Sequence, residues 1–563
     1  MYGFTIIYNN TEDIEFAEMQ KIEFISSQSQ SRYSFYYNPH SKFNKDKCFG
    51  ENEQFIVGMD GVILNLRQLR KTYALSDNFK LILHLHNQFG KNFINQFSGE
   101  FCGFIFDKDS HELLFFTNQA GTKKALYCKA GNSTIISPDL KIISDLKSEI
   151  DGANQLNFNA AYAMLTFGGT YKSQTLISGI HKLCAGQLLQ VSGDKLSVEN
   201  YHSFNNIKSK IYSEEKAIEL LEAHFSNAIE MEYQKDIEYG YKHIATLSGG
   251  LDSRMNVMAA AKMGLSTHNF CFSQSGYADE QISRKISADL GNTYTFIPLD
   301  EAIYMEHIEE NLSCYNASIF YLAAAHFNFA LKKLKLNDFG LIHTGQIGGA
   351  VMGGFISKNP DNPDYFSTAT SKKLIHKIDF IKTDDYASEE VFKFHNRLFN
   401  ITVSGSLICE NNQSYLCSPF LNTDFIEACL SIDIHLKQNS KLYFKWIEKY
   451  RPEIAQYKWE KTGFKPNAQW KNELSRYRNK IKQIYHNKTG QLQKTSMNPY
   501  EYWYRKNKNI RDLYKTRFET LIDLVIDKNL NKDMHFLFEK GNTLEKSLVI
   551  TLLEAINKYN IKA

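Results

Sequence analysis

Between the apolar run 243–247 and a helical window reaching about Met263 lie six residues, Ser248-Gly249-Gly250-Leu251-Asp252-Ser253. They constrain the fold of this chain more tightly than any other segment. Two adjacent glycines let the backbone turn sharply and bring its N–H groups close to a ligand. The helix that follows points unpaired N–H groups and the positive end of its dipole at the same loop. With the hydroxyls of Ser248 and Ser253 as further donors, the segment suits a pyrophosphate. Asp252 beside phosphate is repulsive unless a divalent cation lies between them, which implies Mg2+. A bare Ser-Gly-Gly reads as a capped glycine turn; all six residues between a strand and a helix are far more specific.

The flanking pattern places the loop in a parallel sheet. Residues 213–234 carry apolar positions at helical spacing behind a Ser-Glu-Glu start. Strand-like runs at 243–247, 269–273, 293–299 and 341–345 alternate with helical windows that include 279–290. Such alternation predicts a doubly wound parallel sheet. Beyond about residue 365 helical patterns dominate. Residues 1–205 differ: the runs 55–66, 100–107, 112–118, 133–139 and 186–196 read as strands or hairpins, interrupted by helical windows at 77–97 and 158–167. That composition predicts a layered α+β domain, giving an α/β chain divided into 1–205 and 206–563.

A length of 563 residues exceeds one hydrophobic core. A net charge of +3 gives no electrostatic case for nucleic acid or a membrane as the main partner. The nine cysteines include no CxxC pair and no zinc spacing with histidine, so reduced thiols in a cytoplasmic protein are expected. The N-terminus lacks the pattern of a signal peptide, and no run approaches the ~18 apolar residues of a membrane helix. Isolated histidines such as His243 and His343 read as satisfied core or strand-end residues. The basic and aromatic stretch 467–520 reads as amphipathic helices with solvated charges and buried rings.

The six-residue loop resembles the PP-loop of ATP pyrophosphatases, in the version typical of the asparagine synthetase group, which includes the β-lactam synthetases and lasso-peptide cyclases. Further landmarks occur in the same order: 179–189 followed by Tyr201, resembling the linker between domains; 278–291; Thr344-Gly345, then Gly353-Gly354-Phe355; 418–431; and Lys461-Thr462-Gly463-Phe464 with Pro466. The resemblance implies ATP and Mg2+ as cofactors. Leu247, Phe272, Thr344 and Gly345 would flank the adenosine. Ser248, Gly249, Gly250, Asp252 and Ser253 would hold the pyrophosphate, with Asp252 on the metal. Lys461 would stabilise charge at the α-phosphate, so Lys461 and Asp252 are the expected catalytic pair. Residues 1–205 resemble a class II glutamine amidotransferase, implying an Ntn-type sandwich.

Two departures stand out. Amidotransferases of this class use a cysteine directly after the initiator methionine; here the residue is Tyr2, and a phenol with a pKa near 10 cannot replace a thiolate. The glutamine pocket's Asn-Gly-Glu reads Asp60-Gly61-Val62, and its later Asp-Gly reads Ser98-Gly99. No glutamine hydrolysis is expected. In the second departure, the acidic loop Gly-Glu-Gly-Ala-Asp-Glu reads Gly345-Gln346-Ile347-Gly348-Gly349-Ala350, and Asn422 stands where the resemblance implies aspartate. A second metal carboxylate would have to come from elsewhere, and Asp279 and Glu280 are candidates.

The expected function is therefore an ATP-dependent amide-forming synthetase. It acts on a small-molecule or peptide carboxylate, with an amine donor other than its own glutaminase. A homodimer or a biosynthetic partner protein is compatible with this reading. The alternative is a binding or scaffold protein that keeps the fold without the chemistry.

Overall fold

The computed structural model describes residues 2–9, 26–30, 33–210, 212–468 and 496–563, with scattered positions between 470 and 494. Most of 467–495, the first half of the basic-aromatic stretch, lies outside the described residues.

Two antiparallel six-stranded sheets build the N-terminal sandwich. One runs Ile180–Lys182, Leu126–Ala130, Ser133–Ser137, Gly3–Asn9, Tyr33–Asn38, Ser26–Gln30 in spatial order. The other runs Lys195–Asn200, Gln187–Ser192, Glu112–Thr117, Gly99–Asp107, Phe55–Ile63, Cys48–Glu51. Strand periodicity decides what faces inward: Tyr33, Phe35 and Tyr37 are buried while Ser34, Tyr36 and Asn38 are only half so. Phe35 stacks on Phe104 of the opposing sheet at 4.9 Å between ring centres. Helices Leu66–Tyr73 and Asn78–Phe89 cover the outer face of the second sheet through Val57, Met59 and Leu81. Helices Leu140–Asp151 and Phe158–Phe167 cover the first through Ile135, Ile143 and Leu165. The result is a helix–sheet–sheet–helix sandwich.

The run 55–66, expected as a strand or hairpin, is a strand only as far as Ile63, and the chain turns into a helix from Leu66. The apolar positions Leu66 and Leu69 continue the burial, so a hydrophobic run alone did not separate the two elements.

The second half begins with the 26-residue helix Glu214–Tyr239, started by the Ser213 side chain accepting the Lys216 N–H and stopped by left-handed Gly240. Five parallel strands follow, ordered Thr293–Pro298, Thr267–Ser273, Lys242–Thr246, Phe339–His343, Tyr415–Cys417. The chain starts in the middle, winds to one edge, then returns to wind to the other. Such a sheet opens a crevice where the winding reverses, at the carboxyl ends of its strands. Here that point lies between Lys242–Thr246 and Phe339–His343, whose following residues are the glycine loop and Thr344-Gly345.

Helices Lys508–Leu521, Lys528–Lys540 and Thr543–Lys558 close the chain; the last starts with a capping box of Asn542 and Glu545. They pack back on the N-terminal half, sharing one core with Met164 and Leu165 through Tyr514, Leu548 and Leu552. The Leu156 N–H donates to the Lys562 carbonyl at 2.9 Å, and the Lys562 N–H to the Asn154 carbonyl at 2.8 Å. Trp503 and Tyr514 are buried while Arg505 and Lys506 face solvent, the amphipathic arrangement expected of the part of 467–520 that is described. All nine cysteines are free thiols. Among the described residues no helix is long and apolar enough to cross a membrane.

Candidate active site

The glycine loop folds on itself. The Ser248 N–H donates to the Ser253 hydroxyl at 3.0 Å, the two hydroxyls meet at 3.1 Å, and the Gly250 N–H donates to Ser248 Oγ at 3.1 Å. The Gly249 N–H donates to Asp279 Oδ1 at 2.6 Å. Below the loop, wholly buried Arg254 donates to the Gly249 carbonyl at 2.6 Å and to the Lys458 carbonyl at 2.5 Å. It thereby ties the glycine loop to the segment carrying Lys461, and the Glu460 N–H donates to the Gly249 carbonyl at 3.3 Å.

The loop after Phe339–His343 lies directly over Asp252. A Cβ at Gly345 would stand 2.3 Å from the Asp252 carbonyl carbon, and one at Gly348 would stand 2.8 Å from its carboxyl carbon, so only glycine fits. The Gly349 N–H donates to Asp252 Oδ2 at 2.7 Å and the Tyr443 hydroxyl to Oδ1 at 2.8 Å. Burial raises the Asp252 carboxyl above its usual range, opposed by these donors and by Lys461. Position 349, where the resemblance implies an aspartate, thus offers Asp252 a main-chain donor. Ile347 in the same loop has φ 61°, a left-handed conformation that costs a β-branched residue about 1–2 kcal/mol.

Two cavities meet at Asp252 and Gly250. The first, of about 340 Å³, has Leu247, Phe272 and Phe327 as apolar walls and Ser248, Ser253, Thr344 and Gly345 on its polar side. The second, of about 410 Å³, is bordered by Gly349, Tyr443, Glu460 and Lys461. Of the residues expected to hold the nucleotide, Gly249 alone borders neither cavity. Lys461 is solvent-facing, its ammonium 5.4 Å from the Trp459 ring centre. Of the two substitute carboxylates, Asp279 borders the first cavity, whereas Glu280 pairs with Arg284 at 2.9 Å and accepts the Gly276 N–H.

Glu460 escaped the sequence reading, although it adjoins Lys461. Burial, then the charge of Asp279, push its carboxyl up to about 7. Its buried Oε2 has no hydrogen-bond partner. With Asp252 and Glu460 on one cavity, the site offers two hard oxygen ligands beside the glycine loop, and this donor set fits Mg2+. Tyr443 and Arg254 also escaped; neither stands in a local motif that marks it.

The profile of glutamine amidotransferase domains matches residues 46–202, and that of asparagine synthase matches residues 220–377, in this order on one chain. The chain belongs to the asparagine synthetase family. A Methanocaldococcus jannaschii protein assigned as a glutamine-hydrolysing asparagine synthetase is 28% identical over 250 residues, 43% of this chain and 48% of that protein. Arabidopsis thaliana glutamine-hydrolysing asparagine synthetase 1 is 21% identical over 425 residues, 71% of this chain and 62% of that one. The matches thus span about half to three-fifths of these curated relatives. The glutamine phosphoribosylpyrophosphate amidotransferase of B. subtilis overlays at 11% identity and a TM-score of 0.24, over 53% of this chain and 85% of that one, too loosely to carry an argument.

In this asparagine synthetase-family chain the side chains at the altered N-terminal positions are engaged within the protein. The Tyr2 ring meets His40 edge-on at 5.0 Å, and its hydroxyl accepts from Gln413 Nε2 at 2.6 Å. Asp60 accepts the Tyr37 hydroxyl at 2.9 Å and pairs with Lys123 at 2.8 Å; Lys123 also pairs with Glu410 at 2.5 Å. Burial alone would raise the Asp60 carboxyl, but Lys123 and Lys47 hold it below its usual range. Glu100, pushed up to about 8 by burial and by Glu410, accepts the Ser406 hydroxyl at 2.7 Å.

Proposed function

We propose that this chain is an ATP-dependent amide-forming synthetase. It adenylates a substrate carboxylate, releases pyrophosphate and passes the acyl group to an amine that its own N-terminal domain does not generate. Residues 206–563 carry the chemistry and residues 1–205 serve as an amidotransferase-like scaffold. The observation that carries this reading is the meeting of two cavities at Asp252, one with apolar walls and the other bordered by Lys461.

Adenosine fits the first cavity against Leu247 and Phe272, with Thr344 and Gly345 at its edge. Gly250 and the hydroxyls of Ser248 and Ser253 face the phosphates; Gly249 supports the turn, its N–H being held by Asp279. Mg2+, held by Asp252 and Glu460, would neutralise phosphate charge. A carboxylate oxygen attacks the α-phosphorus, and the bond to the bridging oxygen of pyrophosphate breaks. The amine then attacks the acyl carbon, AMP leaves and the nitrogen loses a proton. Lys461 stabilises the charge that builds between the two steps, the work of a preorganised cation. Because Tyr2 offers no thiolate and Asp60 is committed to Lys123 and Tyr37, the amine is free ammonia, a second substrate or another part of the same molecule.

Pyrophosphate release from ATP, assayed over a panel of peptide and small-molecule carboxylates with amines, tests the reading. The expected outcome is release with at least one pair and its loss in Asp252→Ala; release unchanged by that substitution rejects the role of Asp252. Gly349 and Ala350, at positions where the resemblance implies acids, favour a second reading, a nucleotide-free scaffold. Calorimetry separates the two: a chain that binds no ATP with Mg2+ present is the scaffold.

A further inference from the structure

A second polar cluster lies beneath the crevice floor, outside the proposed chemistry. The sequence reading treats His343 as a satisfied strand-end histidine, but its surroundings are more particular. It ends the strand Phe339–His343, is 0% exposed, and lies flat on Tyr233 at 3.8 Å between ring centres. Its Nε2 stands 2.8 Å from Asp236 Oδ2, an oxygen that also meets His243 Nδ1 at 3.0 Å, while Asp236 Oδ1 accepts the Leu341 N–H. A carboxylate in that position accepts from Nε2, fixes the ring and turns Nδ1 the other way, where a metal ion would displace any proton that Nδ1 carries. There Nδ1 meets Cys417 Sγ at 3.2 Å and Glu232 Oε2 at 3.8 Å. Glu232 is 2% exposed, and its Oε2 has no hydrogen-bond partner. The three atoms lie within 4.8 Å of one another.

We propose that Glu232, His343 and Cys417 bind a zinc ion. A tetrahedral zinc with ordinary Zn–S and Zn–N lengths holds its ligand atoms roughly 3.3–3.6 Å apart, and the separations of 3.2 and 3.8 Å straddle that range. One thiolate, one imidazole and one carboxylate suit borderline-soft Zn2+ rather than Mg2+ or Ca2+. Asp236 supplies the outer carboxylate that orients the imidazole. A cavity of about 60 Å³ borders Glu232 and Cys417, which leaves room for water as fourth ligand. Binding deprotonates the Cys417 thiol, so affinity falls as pH falls. The ion ties the helix Glu214–Tyr239 to two neighbouring strands. The Cys417 carbonyl accepts both the N–H and the hydroxyl of Thr344, at 3.0 and 2.9 Å, so the tie sits directly under the nucleotide crevice.

The test uses the full chain, stripped with a chelator and titrated with Co2+ or Zn2+. Expected are one equivalent bound, a thiolate-to-cobalt charge-transfer band in the near ultraviolet, and a Zn2+-dependent rise in melting temperature. The band is lost in Cys417→Ser, and Asp236→Asn weakens the affinity about 10–100-fold. Should Cys417→Ser fail to fold, Glu232→Gln makes the comparison, with Zn2+ no longer raising its melting temperature. A folded wild-type chain that takes up no equivalent of metal and shows no band overturns the proposal, and the cluster is then a hydrogen-bonded relay through His343.

Discussion

The charges around Lys123 are buried and those around Asp252 lie half-buried at the edge of two cavities, and the two sets differ in what is left over. Lys123, 3% exposed on its side chain, lies between Asp60 and Glu410, with Tyr37 and Ser406 completing the set. Lys123 meets two carboxylates there, although the buried Oε1 of neighbouring Glu100 has no hydrogen-bond partner. Around Asp252 the carboxylate has only neutral donors, the Glu460 oxygen has none, and Lys461 faces an open cavity. A cluster whose charges pair across the chain braces it; a cluster with an unpartnered carboxylate oxygen and space beside it can still receive a ligand. Electrostatic surplus, more than fold, separates a scaffold from a working site.

Removing one member of each cluster should break the chain in different ways. Lys123→Ala strands Asp60 and Glu410 in the interior and should cost about 3–5 kcal/mol, read from the urea midpoint, while ATP affinity per folded molecule holds. Lys461→Ala should leave the midpoint unchanged and slow pyrophosphate release about 100–1,000-fold. Equal stability losses in the two variants would erase the distinction.

A finer test is pH. Because the Glu460 carboxyl sits near 7, it holds its proton below that value. Mg2+-dependent ATP affinity should therefore rise, by up to about tenfold, between pH 6 and 8, and Glu460→Gln should flatten the rise. Stability runs the opposite way: the raised carboxyl favours folding at low pH, and this contribution is lost as pH climbs through about 7. An unchanged pH profile in the variant removes Glu460 from the metal site. The smallest effect expected is none at all. Tyr2→Cys should release no glutamate from glutamine in a coupled assay, because Asp60 stays committed to Lys123; measurable glutamate would show that the pocket is still open.

Much of this was legible where the chemistry is local. The six-residue loop carries its own strand, turn and helix signals, and the doubly wound sheet follows from the alternation around it. Lys461 was reachable only through the order of landmarks, since nothing in its own neighbourhood distinguishes it from a solvated lysine. Glu460, Tyr443 and Arg254 act through contacts far along the chain, and such contacts leave no periodic trace. The N-terminal site was half visible: Tyr2 and Asp60-Gly61-Val62 stood out in the sequence, but not that Asp60 would share Lys123 with Glu410, 287 positions from that lysine. Helix Leu66–Tyr73 was hidden because its apolar residues continue those of the preceding strand.

The packing of the last helices against Phe158–Phe167 has a consequence for how the molecule is made. The layer covering the first sheet is itself backed by residues that leave the ribosome nearly 400 positions later, about 20–80 s at ordinary elongation rates. Until then Met164 and Leu165 present an unclosed greasy flank, held in the finished protein by Leu548 and Leu552. Over that interval a nascent chain of this design leaves the flank open to water and to chaperones.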